Sequence, residues 1–97
     1  MQRITHIVTY DICDPKRLRE VYLICRGFGD HLQYSVFRCE LTPIGRARMI
    51  AALDEVIHHS EDQVLFVALG PSDGHVDDAF EALGRPYRTK KSRTTIF

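Results

Sequence analysis

The sequence predicts a two-layer α+β sandwich of the ferredoxin-like kind: an antiparallel sheet with two main helices on one face, a short C-terminal strand, and a face-to-face homodimer. Three observations carry the prediction. Residues 4 to 12 alternate between two faces, as a half-buried strand does. Asp14-Pro15 and Thr42-Pro43 each pair an N-cap oxygen with a proline, whose missing N–H costs nothing in the first helical turn. Residues 64 to 69 are apolar without alternation. Two helices interleaved with strands pack on one side of a single sheet.

In the first strand, Ile4, His6, Val8, Tyr10 and Ile12 share one face, and Thr5, Ile7, Thr9 and Asp11 share the other. The helix that Asp14 opens places Leu18, Val21, Tyr22 and Cys25 at i, i+3, i+4 and i+7, and Gly27 or Gly29 ends it. From residue 32, "LQYSVFRCEL" alternates again, as one strand bent at Ser35 or as two short ones. Counted straight through, it places Phe37 on the face away from the helices. The second helix buries a stripe of Met49, Ile50, Leu53, Val56 and Ile57.

"QVLFVALG" then calls for cover on both faces. With no third long helix available, the cover expected for its outer side is a second copy of the chain. Residues 76 to 83 predict a short helix and "RTTIF" a last short strand. The 97 residues thus form a single domain, 1–97, with a basic C-terminal tail and strand from about residue 85 to 97. A domain of this size buries only about 60–65% of its unfolded surface, so dimerisation would help it.

Apolar residues at 44% and charged ones at 27% exclude a disordered or fibrous class. The N-terminal apolar run is too interrupted for a signal-peptide core, and no stretch is long enough to span a membrane. The expectation is a cytoplasmic protein with no membrane partner. Three cysteines, Cys13, Cys25 and Cys39, lack C-x-x-C spacing and read as small buried hydrophobes rather than a disulfide or zinc framework.

Net charge is zero, but the charges segregate. Residues 61 to 81 carry only acids, and residues 85 to 93 only bases. The first helix carries Lys16, Arg17, Arg19 and Arg26. A phosphate backbone responds to such a local field.

Asp11 ends the first strand on the face assigned to the dimer. One reading makes it a carboxylate that bonds backbone N–H groups in the turn. The other makes it a ligand for a hard divalent cation. A two-fold axis would set two Asp11 side chains opposite each other, enough to anchor one Mg²⁺ ion for phosphodiester cleavage. Asp14 is a cap. The neighbouring His58 and His59 point in different directions and make a poor metal pair. P-loop, G-x-G-x-x-G and H-E-x-x-H motifs are absent.

"TYDICDPKRLREV", then "GDHLQYSVFRCEL", an amphipathic helix and "DQVLFVALG" together resemble the CRISPR-associated protein 2 family, the small subunit of the spacer-acquisition machinery. The resemblance covers residues 4 to 70. It implies a ferredoxin-like homodimer whose C-terminal strand packs on the partner, and association with the integrase CRISPR-associated protein 1. It also implies Mg²⁺-dependent endonuclease activity on single-stranded RNA or double-stranded DNA. Carried over residue by residue, the catalytic and metal-binding acid is Asp11, with one Mg²⁺ shared by Asp11 of both subunits. The family's aromatic after its "SV" pair maps onto Phe37 and its early-helix basic residue onto Arg17 or Arg19; with Tyr10 and the other first-helix bases, Lys16 and Arg26, they make up the expected nucleic-acid-binding set, Tyr10, Lys16, Arg17, Arg19, Arg26 and Phe37. The partner-contacting tail holds Lys90, Lys91, Arg93, Ile96 and Phe97. Where the family often has arginine before its second-strand "V-Q", this chain has His31. The alternative is a purely structural adaptor that binds DNA through the same bases without catalysis.

Overall fold

The computed structural model describes residues 2–87. Strand β1 (Ile4–Asp11) leads to helix α1 (Pro15–Phe28), strands β2 (Asp30–Gln33) and β3 (Val36–Leu41), helix α2 (Pro43–Val56), and strand β4 (Gln63–Pro71). A 3-10 turn, Val76–Ala79, follows. The strands order as β2-β3-β1-β4, every pair antiparallel, with both helices against one face. This is the ferredoxin-like arrangement. Among the described residues no helix is long and apolar enough to cross a membrane.

Both helix starts form as local chemistry dictates. The Asp14 carboxylate accepts from the Arg17 N–H at 2.9 Å, and the Thr42 hydroxyl accepts from the Gly45 N–H at 3.0 Å. Gly29 closes α1 because the backbone of β3 runs beside it. A Cβ there would overlap the Arg38 carbonyl and the Cys39 sulfur.

The core lies between helices and sheet: Val8, Tyr10, Val21, Cys25, Phe37, Cys39, Leu41, Met49 and Leu53. Val56 and Ile57 pack partly against it, whereas Ile50 is exposed and drops out of the expected stripe.

The segment from residue 32 splits. Tyr34 and Ser35 form the turn between β2 and β3, and the register slips between His31 and Gln33. That slip resets the alternation. Phe37 pairs with Val8 on one side and His31 on the other, and is fully buried toward the helices. The expectation of Phe37 on the outer face is therefore overturned.

The outer face also differs from the expectation. It is not left bare for a second copy alone, because residues 76–87 fold back over its β2–β3 half. Arg38, pointing outward opposite Ile7, is buried beneath them and donates to Asp77, to the Tyr87 hydroxyl at 2.6 Å and to Glu40 at 3.2 Å. The Phe80 ring lies over its guanidinium and stacks on Tyr87. Among the described residues, only the β1–β4 half stays open, with Leu65 and Val67 exposed at 48% and 47%. The expected C-terminal strand and the tail residues Lys90, Lys91, Arg93, Ile96 and Phe97 lie outside the described residues.

Candidate functional site

The cap at Asp14 fixes where β1 must stop, and Asp11 is its last residue. It pairs with Gln63 of β4 and, two residues beyond Thr9, shares the outer face with Thr9 and Ile7. Asp11 is exposed, and its carboxylate makes no hydrogen bond or ion pair among the described residues. The strand-turn reading, in which it satisfies local N–H groups, thus has no bond to support it. That task falls instead to Asp62, which accepts from the backbone N–H of Cys13 at 2.9 Å and of His58 at 2.8 Å.

Tyr10 points the opposite way from Asp11. It is 7% exposed, its ring stacks on Phe37 at 6.2 Å, and burial raises its phenol above the ordinary value. Phe37 also meets Tyr22 and His31 edge-on or tilted. In this chain both are core aromatics: Phe37 is fully buried and out of reach of a base, whereas Tyr10, nearly buried, still lines a groove between the β2–β3 turn and the start of α1. This corrects the expectation that Phe37 touches nucleic acid directly.

The four bases of α1 divide. Arg17 is engaged: its Nε donates to Asp62 at 2.8 Å and its Nη2 to Glu61 at 3.1 Å. It ties the start of α1 to the loop before β4. The bond to Asp62 raises the Arg17 pKa and holds the Asp62 carboxyl well below the usual carboxylate range. Part of the charge segregation seen in the sequence is thus cancelled within the chain. Lys16, Arg19 and Arg26 are exposed, and with Leu23 they sit at i, i+3, i+7 and i+10, one stripe along α1. The stripe spans about 15 Å along the helix axis.

The cysteines divide too. Cys25 and Cys39 are buried, and burial pushes both thiols up to about 12, the neighbouring Cys25 adding to the effect on Cys39. Cys13 is exposed and donates to the Glu61 carbonyl at 2.9 Å, contrary to its expected burial. His59 contacts Asp54 at 2.7 Å and the His58 ring approaches Ser60. The two histidines face different partners, as the sequence indicates. Arg38 is not among the residues that sequence pattern singles out; its one signal is a charge set between the buried Phe37 and Cys39.

Among the described residues no group of three or more His, Cys, Asp or Glu side chains is placed to hold a metal ion. One copy therefore offers a single unengaged acid on an open, partly apolar half-face.

Comparison with known proteins gives this geometry a family. A profile described as "CRISPR associated protein Cas2" matches residues 4–73. A Rhodospirillum rubrum protein named CRISPR-associated endoribonuclease Cas2 1 is 40% identical over 91 residues, spanning 94% of this chain and 88% of the relative. A Geobacter sulfurreducens protein named CRISPR-associated endoribonuclease Cas2 is 39% identical over 82 residues, 84% and 85% of the two chains. The crystal structure of Streptococcus pyogenes Cas2 at pH 6.5 superposes with a TM-score of 0.73 at 33% identity, covering 82% of this chain and 99% of that one. The match runs through both helices and all four strands, so the chain belongs to the CRISPR-associated protein Cas2 family.

Proposed function

We propose that this protein acts as a homodimer in CRISPR spacer acquisition, binding nucleic acid and cleaving phosphodiesters with one Mg²⁺ shared by the Asp11 carboxylates of two copies. The observation that carries the reading is the position of Asp11. It stands on the only half of the outer face that the described chain leaves open, beside the half-exposed Leu65 and Val67. Closing two such halves face to face buries apolar surface and brings the acids toward a common axis.

The donor set suits the ion. Each copy supplies one exposed, unengaged carboxylate, a hard oxygen ligand of the kind Mg²⁺ takes, and one carboxylate alone would hold it weakly. A Mg²⁺ ion held there would polarise a phosphoryl oxygen and lower the pKa of a bound water. The names of the relatives support an RNA substrate. The family's integrase, CRISPR-associated protein 1, is the protein partner.

A second reading has its own observation. The stripe of Lys16, Arg19 and Arg26 lies on the helical layer, across the sheet from Asp11. It can grip a phosphate backbone with no chemistry at all, which is the adaptor role.

One pair of assays on a single preparation separates the two. Asp11→Asn abolishes Mg²⁺-dependent cleavage of single-stranded RNA if the paired acids are catalytic; undiminished cleavage refutes that. Retained spacer acquisition by the same variant assigns acquisition to the adaptor role. Lys16→Ala or Arg19→Ala lowers the salt dependence of duplex binding by about 0.9 log units for each phosphate no longer neutralised.

A further inference from the structure

Tyr34 is the feature that the acid, the stripe and the core leave unused. Its side chain is 94% exposed, and its φ of +31° is one that non-glycine residues seldom adopt. Glycine or asparagine would fill this turn position with less strain. The turn around it is held on both sides. His31 Nε2 lies 2.6 Å from the Tyr34 carbonyl oxygen, and the Ser35 carbonyl accepts from the Tyr10 N–H at 3.2 Å. The ring is thus presented to solvent by a fixed backbone rather than left on a loose loop.

Beside it runs a shallow, mainly apolar groove between the turn and the start of α1, lined by Tyr10, Pro15, Leu18, Tyr22 and Arg19. Leu18 is 42% exposed. A flat aromatic surface with an apolar floor and one guanidinium at the rim matches an unpaired nucleobase with its phosphate. The ring stacks the base, and the cation takes the charge. A base still stacked in a duplex does not present its face, so the site selects single-stranded segments or frayed ends.

We propose that Tyr34, with Leu18 and Tyr22 beneath and Arg19 at the edge, is a stacking platform for one unpaired base of a bound nucleic acid strand. The proposal rests on the nucleic-acid-binding reading above and gives it a preference for strand ends that the cationic stripe alone does not supply.

The test uses a duplex with a single-stranded overhang carrying 2-aminopurine, made once with a DNA and once with an RNA overhang, beside the same duplex with blunt ends. The protein contains no tryptophan, so its own fluorescence interferes little. Wild type quenches the probe and binds the overhang substrate more tightly than the blunt one. The overhang chemistry that quenches identifies the backbone Arg19 accepts. Tyr34→Gly keeps the turn, because glycine takes positive φ freely, and its melting temperature is equal or higher. It loses the quench and about 5- to 140-fold in overhang affinity, from a stacking contribution of about 1–3 kcal/mol. Blunt-duplex affinity stays within twofold. Tyr34→Phe restores the quench.

An unquenched probe on wild type that still binds blunt duplex overturns the platform and leaves the stripe reading intact. So does a Tyr34→Gly variant that binds both substrates as wild type does or weakens both alike. Failure to bind either substrate overturns both readings.

Discussion

Replacing Leu65 and Val67 with serine should dissolve the proposed dimer without unfolding the chain. Full burial of a leucine or valine side chain contributes about 1.5–3 kcal/mol. Leu65 and Val67 are already about half covered by their own chain, being 48% and 47% exposed. The remaining half is worth about 0.7–1.4 kcal/mol for each side chain. Two such side chains from each copy sum to about 3–6 kcal/mol, so the dissociation constant rises by about 100- to 10,000-fold. Sedimentation equilibrium over a dilution series reads this directly. The control is Ile44→Ser with Ile50→Ser, exposed at 51% and 36% on α2 in the opposite layer. It removes comparable exposed apolar surface and leaves association unchanged. Equal weakening by both double variants, or none by Leu65→Ser with Val67→Ser, would refute the assignment of the β1–β4 half-face.

Three further outcomes follow from the site geometry. Arg17→Ala lowers stability to urea at pH 7 but changes duplex affinity little, because its guanidinium is engaged by Asp62 and Glu61. The folded Asp62 pKa lies below its unfolded value of about 4. The stability from the pair is therefore complete above that pH and lost as pH falls toward the folded value, so the wild-type advantage in urea titrations shrinks between about pH 5 and 3, on the order expected for one carboxylate. Gly29→Ala costs about 1–3 kcal/mol in thermal or urea melts, since β3 must shift to admit the methyl group. Under native conditions a disulfide reagent labels the exposed Cys13 rapidly and the buried Cys25 and Cys39, whose thiols burial pushes up to about 12, only after unfolding.

What the sequence made legible was local. Asp14-Pro15 and Thr42-Pro43 open their helices as expected, because an N-cap needs only residues three apart. The β1 alternation set Asp11 outward and Tyr10 inward, since a strand ends cleanly where such a cap begins. Phe37 was misplaced because periodicity carries phase only within an unbroken strand, and the Tyr34 turn and the slip at Leu32 shift it. Arg17 resembled a phosphate ligand because its partner Asp62 lies 45 positions away. No spacing rule links them. The strap over Arg38 was invisible for the same reason: Asp77 and Tyr87 reach it from 39 and 49 positions further on.

Manganese binding, followed by electron paramagnetic resonance as a stand-in for Mg²⁺, tests the shared acid pair most directly. The account predicts one tightly held ion for every two chains, lost in Asp11→Asn and lost again when Leu65→Ser with Val67→Ser separates the copies. An ion bound to each separated chain, or binding that Asp11→Asn leaves untouched, would contradict it.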